Sequence, residues 1–322
     1  MSSQPASSPV EAARLVKEAA RREGFDLVGI ARAEPLDAAP LDKWFDHGWD
    51  ASLGWVKNSR DLRLDVRNVL PGAQSVVAVA VSYRHPDPLR PDEPAGTVAR
   101  YARGRDYHNV MRRPLKRLRE FIETISPGAD NYTSCDARPV MEKAWAQRAG
   151  LGWIGKNGCL IAPPFGSYVL LGTVITTAEL AADAPHPERC GTCVACLSSC
   201  PTDAIPEPRY VDAGKCISFH TIEHRDPIPP SIAANLGGRI FGCDACQEVC
   251  PWNRHETPPA GKLSEGMRPH EGQGFVPLES LLRSSDEELT ARIHGTPLAR
   301  AGVEGLRRTA RAILDEQKKD QK

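Results

Sequence analysis

No window of the 322-residue chain approaches the ~18 consecutive apolar residues that would span a bilayer. Its opening, MSSQPASSPVEAARLVKEAA, also lacks the apolar core of a secretory signal. These absences predict a cytoplasmic protein with no membrane partner. An excess of one charge is missing too, since 41 basic residues cancel 41 acidic ones. That excludes a surface coated uniformly for nucleic acid, while leaving room for a local basic face. GxxxxGK[ST] does not occur, and the one GxGxxG, at 150–155, follows a helical pattern rather than a strand, so no Rossmann dinucleotide loop and no P-loop is expected.

Cysteine, by contrast, is plentiful: the chain has ten, four of them in CGTCVACLSSCP at 190–201. In a reducing compartment such thiols read as metal ligands or redox centres rather than disulfides. The rest of the chain divides around them. Residues 1–8, rich in Ser, Pro and Ala, read as disordered. Ser8, Pro9 and Glu11 then supply an N-cap, a proline at the first helical position and a capping box, and Gly24 ends that helix. Strands follow at 25–31, 75–83 and 168–177, the last two too uniformly apolar to have a wet face and therefore central. Helical patterns at 107–124 and 138–149 complete an α/β, layered-sheet domain over 9–185. Residues 186–255 hold eight of the ten cysteines and form a second, metal-organised domain. Over 256–322 two or three amphipathic helices make a short helical C-terminal segment.

Cys190, Cys193, Cys196 and Cys200 follow C-x2-C-x2-C-x3-C-P, the bacterial ferredoxin run, in which three thiolates hold one [4Fe–4S] cube and the fourth reaches a neighbouring cube. A zinc ribbon would separate its paired knuckles by a dozen or more residues. GCDACQEVCP adds Cys243, Cys246 and Cys250, one cysteine short of a second run, and the isolated Cys216 makes up the deficit. The counting closes with Cys190, Cys193, Cys196 and Cys250 on one cluster, and Cys200, Cys216, Cys243 and Cys246 on the other. Cys135 and Cys159 are left as small buried thiols. Asp203 stands where ferredoxins often carry Gly, a position that calls for a left-handed backbone.

Two clusters form an electron wire, and the first domain must hold its terminus. The histidine-on cobalamin signature DxHxxG is incomplete: Asp106 and His108 fit, but Met111 replaces the glycine. GRDYH at 104–108, DARPVMEKAWAQRAGLGWIGKN at 136–157, CISFHTIEHR at 216–225 and GCDACQEVCPWN at 242–253 together resemble the epoxyqueuosine reductase family. The likeness runs in order to about residue 255, and some members carry a longer helical tail.

This resemblance implies an oxidoreductase that reduces epoxyqueuosine to queuosine at the wobble position of tRNA. It implies two [4Fe–4S] clusters, a base-off cobalamin and an external one-electron donor of flavodoxin or ferredoxin type; a monomer is expected. Asp136 is implied as proton donor, with Arg63, Asp136, Lys156, Asn157, Leu160, Leu171, Ser218 and Arg225 lining the cobalamin. An aspartic acid with its ordinary pKa of about 4 is a poor donor at neutral pH unless burial raises it, so Asp136 is expected to be desolvated. From the residues alone, Asp136 would be a helix N-cap and Lys156 a solvated turn residue.

Between Arg100 and Arg119 stand eight basic residues against one acidic, Asp106. With a tRNA substrate implied, Arg112, Arg113, Lys116, Arg117 and Arg254 become phosphate contacts, alongside Arg307, Arg308 and Arg311. The alternatives are a corrinoid reductive dehalogenase-like enzyme, a non-catalytic ferredoxin-type electron-transfer subunit and an RNA-binding module with structural metal.

Overall fold

Ser8 begins the first helix, Pro9–Arg22, and its Oγ accepts from the Glu11 N–H at 3.2 Å. The expected box is half formed, because the Glu11 carboxylate turns to Arg14 instead. The computed structural model describes residues 6–91, 93–254 and 261–320. Of the eight residues expected to be disordered, 1–5 therefore lie outside the described residues, while the Ala6 N–H bonds Ile125 O.

Strands β1 (Leu27–Arg32), β2 (Ser75–Ser82), β4 (Asn131–Ser134) and β7 (Val169–Thr176) form one sheet in the order β1-β2-β7-β4, every pair antiparallel. The two most apolar strands take the centre, as a strand buried on both faces requires. Their alternation sorts the layers. Val77, Val79, Val81 and Val174 face the Pro9–Arg22 and Tyr107–Ile125 helices, packing on Val16, Leu118 and Ile122. Val76, Ala78, Ala80 and Ile175 face the Glu142–Arg148 helix, where small alanines leave room for the fully buried Trp145. Truncating a residue such as Leu118 in this core costs ~2–5 kcal/mol.

A second sheet joins segments that the sequence keeps apart. Strand β3 (Ala95–Val98) pairs in parallel with β8 (Arg239–Phe241) and antiparallel with β9 (Phe275–Pro277). It crosses all three expected segments, and Val98 and Ala102 share a core with Ile217, Phe241 and the C-terminal helix Gly302–Asp320. The last expected boundary, at 255/256, lies outside the described residues. A hairpin of β5 (Trp153–Ile154) and β6 (Leu160–Ile161) lies beside the cysteine-rich segment.

The junction between the large sheet and that segment is polar and fully paired. Asn253 accepts from Ser167 N (2.8 Å) and donates to Ser167 Oγ (2.9 Å) and Gln247 O (2.7 Å), while Ser167 Oγ donates to Gln247 Oε1 (2.9 Å). Gly166 makes this approach possible: with φ +68°, its added Cβ would stand 2.0 Å from Asn253 Oδ1. A satisfied buried network of this kind fixes relative orientation. Among the described residues, no helix is long and apolar enough to cross a membrane.

Candidate active site

Cys190, Cys193, Cys196 and Cys250 line one cavity of about 40 Å³, with Lys156, Asn157 and Trp252 on its walls. The first expected ligand set is thus assembled from two loops 60 residues apart in sequence. Trp153 Nε1 donates to Cys190 Sγ at 3.3 Å. Burial pushes the Cys196 and Cys250 thiols above their ordinary value, and their neighbouring thiols push further. Four thiols gathered round one small cavity, two of them held protonated by burial and by their neighbours, are relieved by a cationic centre, which makes this donor set fit an iron–sulfur cube. Among the described residues, no three His, Cys, Asp or Glu side chains are grouped as a single metal ion needs.

The second set also converges. Cys216 is raised by burial and by the nearby Cys200, and Cys243 is pushed up to about 11 by burial, with Cys216 adding to it. Cys246 stands by Cys243 and Cys216. The Cys200 sulfur accepts from Ala204 N at 3.2 Å. Asp203, in the turn between them, has φ +50°, the left-handed conformation its position calls for. Cys159 is not the isolated thiol expected from spacing. It stands close enough to Cys246 for each thiol to shift the other's ionisation, brought there by the tight turn between β5 and β6.

Asp136 caps no helix. The helix expected from 138 begins only at Glu142, its N-cap is Met141, and residues 135–141 form a loop after β4. Asp136 has φ +59°, a backbone that costs a non-glycine residue ~1–3 kcal/mol and persists only where the surroundings fix it. Glu142 does the fixing: its carboxylate accepts from Asp136 N (3.1 Å) and Ser134 Oγ (2.6 Å). Tyr107 Oη donates to Asp136 Oδ2 at 2.7 Å, and His108 Nε2 stands 3.7 Å from the same oxygen. Burial, reinforced by the Asp136 charge, holds the Tyr107 phenol far above its ordinary pKa, so it stays a donor. The expected desolvation of Asp136 is not supplied by the chain itself, whose fold leaves that side chain 69% exposed.

From this carboxylate a line of rings runs back to the thiols. Tyr107 meets Tyr101 at 6.1 Å between centroids, and Tyr101 meets Phe241 at 6.3 Å, two residues before Cys243. Arg63 is buried close enough to feel the charges of Glu142 and Asp136, and its guanidinium lies 5.0 Å over the Trp55 ring. Trp55 and Leu62 are exposed by 51% and 37%. An apolar margin beside a cation suits a large ring system with a polar periphery, so these residues fit a corrin.

The other residues expected there are placed differently. Lys156 donates to Gly191 O (2.7 Å) and Cys193 O (2.9 Å), holding the first cysteine loop, and Asn157 donates to Cys246 O at 3.3 Å, between the two sets. Leu160 and Leu171 pack in the core beneath the Glu142–Arg148 helix. Ser218 stands beside the Cys216 thiol and works against the rise that burial causes there. Arg225 spends its guanidinium on Arg300 O and Ala301 O, clamping the C-terminal helices.

The Tyr107–Ile125 helix turns Asn109, Arg112, Arg113 and Arg117 into one groove of about 350 Å³, which Arg105, just before the helix, also lines. Arg117 pairs with Glu23, whereas Arg105, Arg112 and Arg113 have no ion-pair partner among the described residues. Lys116 faces Glu120 instead. Arg100 and Arg103 are taken by Asp87. Arg254 is exposed at the end of the cysteine-rich segment. Arg307 bonds Ser284 O and Asp286, and Arg308 bonds His220 O and His224 O, which makes both structural clamps; Arg311 is exposed.

Residues 63–137 match the family described as "Epoxyqueuosine reductase QueG, DUF1730", and residues 189–253 match a "4Fe-4S double cluster binding domain". The chain is 45% identical over 309 residues to an epoxyqueuosine reductase of Gloeobacter violaceus, covering 93% of this chain and 94% of that one. It is 42% identical over 287 residues to one from Synechocystis, covering 88% and 98%. Among solved structures it resembles an epoxyqueuosine reductase with an epoxyqueuosine-modified tRNA-Tyr stem loop: 30% identity, TM-score 0.84, 94% of this chain and 80% of that one. A Bacillus subtilis epoxyqueuosine reductase, captured with its catalytic aspartate loop swung out of the active site, matches at 29% identity and the same TM-score and coverage.

Proposed function

The chain belongs to the epoxyqueuosine reductase family, and from that membership we propose that it reduces epoxyqueuosine to queuosine in tRNA, passing electrons through two [4Fe–4S] clusters to cobalamin, with Asp136 as proton donor. The observation that carries this reading is the placing of Asp136. Its carboxylate is fixed in a strained backbone by Glu142 and joined by Tyr107 and Tyr101 to the strand that leads into Cys243.

Deoxygenation breaks both C–O bonds of the epoxide, forms a carbon–carbon double bond, takes up two electrons and two protons, and releases water. When bound, cobalamin supplies reducing chemistry at carbon. The proteins's own part is to hold an acid at the oxygen. Tyr107 orients the Asp136 carboxyl through Oδ2, and that carboxyl protonates the departing oxygen. Arg63 and the apolar margin at Trp55 and Leu62 would hold the corrin, while Lys156 and Asn157 hold the cysteine loops and Arg225 clamps the C-terminal helices. The groove at Arg105, Arg112 and Arg113 would take tRNA phosphates.

The test is conversion of an epoxyqueuosine-bearing tRNA stem loop by anaerobically reconstituted, reduced protein, with iron, sulfide and corrinoid measured in the same sample. The reading predicts product, about eight irons from two cubes and one corrinoid per chain. Iron-loaded protein that neither binds corrinoid nor forms product would overturn it.

A further inference from the structure

The truncated motif Asp106-x-His108 has no role in the reaction as described so far. The structure puts it against the acid. Asp106 caps the Tyr107–Ile125 helix, and its Oδ1 accepts both from His108 N (2.9 Å) and from His108 Nδ1 (2.8 Å). A carboxylate already accepting from the backbone requires Nδ1 to carry its hydrogen, so Nε2 is the nitrogen whose proton comes and goes. That nitrogen points to Asp136, 3.7 Å from Oδ2, one small loop movement beyond hydrogen-bond length. Tyr107, which shares Oδ2, cannot substitute: its phenol is held protonated. The imidazole stacks on the Tyr107 ring at 4.2 Å and is 38% exposed, open to protons from solvent.

One carboxylic acid holds one proton, yet the deoxygenation consumes two. We propose that His108, fixed by Asp106, returns a proton from Nε2 to Asp136 after the first transfer, so that the same carboxyl protonates the epoxide oxygen twice. The first proton accompanies C–O cleavage and leaves a hydroxyl; the second goes to that hydroxyl as it departs as water. The two electrons come from the clusters, reduced by the external donor, and His108 regains its proton from solvent. His108 does not touch the substrate and acts through Asp136, as a relay. The charged groups facing it agree with this use: Asp106 and Asp136 favour the imidazolium, and Arg300, itself engaged by Glu223, opposes it. The balance lies upward, with the Asp106 hydrogen bond as the largest contribution.

This inference rests on Asp136 being the proton donor, and the experiment separates the two. The His108 ring is titrated by NMR in the full-length holoenzyme, with its signal assigned through His108→Gln. In the same preparations single-turnover product formation is followed against pH. We expect the His108 titration above the ordinary histidine value, moved down in both Asp106→Asn and Asp136→Asn. Asp106→Asn keeps a capping side chain, so the helix survives. We expect wild-type enzyme to lose rate as pH rises through the His108 titration, and His108→Gln both to slow turnover on the order of 10²-fold, the lower end of general acid–base effects, and to abolish that dependence. A His108 titration that ignores both aspartates, or His108→Gln with the native rate and pH profile while Asp136→Asn is slow, overturns the relay alone. A native rate in Asp136→Asn overturns the donor assignment, and the relay with it.

Discussion

Cys216 is the residue on which the cluster assignment turns, because it alone fills the gap in a second run one cysteine short. Its thiol stands among Cys200, Cys243 and Cys246. Cys216→Ala is expected to remove about four of eight irons, or to make one cluster labile, as measured by iron and sulfide after anaerobic reconstitution. Cys159→Ala is expected to keep both clusters. Equal iron loss in the two variants would show that Cys159, not merely adjacent, is a ligand. The gathering of Cys190, Cys193 and Cys196 was legible because ferredoxin spacing is a local constraint on how one loop wraps one cube, whereas Cys250 and Cys216 entered only by counting. The contact of Cys159 with Cys246 was not, since a fold across 87 positions leaves no trace in spacing. Asp203 was legible for the opposite reason: its left-handed backbone belongs to the turn itself.

At the scale of elements, the Tyr107–Ile125 helix divides its labour by face. One face packs Met111, Leu115, Leu118 and Ile122 on the sheet, another presents the arginine groove, and its first turn reaches Asp136. Periodicity predicts the packed face well. It could not sort the eight basic side chains of this region, because pairing depends on partners elsewhere: Asp87 takes Arg100 and Arg103, Glu23 takes Arg117, and Glu120 takes Lys116. The surface proposed for tRNA phosphates is therefore narrower than the charge run suggests. Replacing Arg105, Arg112 and Arg113 by Ala should weaken tRNA binding and flatten its log–log salt dependence by about 0.7–0.9 per lost contact, with bound corrinoid unchanged. Lys116→Ala should do neither. Unaltered salt dependence in the triple variant, measured by titration of a tRNA stem loop, would return the groove to a solvated role. The loop at 135–141 was likewise hidden, because its residues read as a helix start; Glu142 overrides that local preference by bonding Asp136 N.

Across the whole molecule, the long central strands and the terminal helices follow their sequence patterns, and the joining sheet does not. Strands β3, β8 and β9 are three or four residues each, too short to show alternation, yet they bind the first segment to the middle one and to the last. Phe241 of this sheet ends the line of rings that starts at Asp136, and the central claim of the proposed function is that Asp136 is the acid. Single-turnover conversion of epoxyqueuosine-containing tRNA by pre-reduced Asp136→Asn, with cluster and corrinoid occupancy checked in the same sample, tests it most directly. The substitution keeps shape and hydrogen bonding but has no proton to give, so the rate should fall by ~10²–10⁴-fold at full occupancy, in kcat more than in tRNA affinity. A near-native rate at full occupancy would contradict the account.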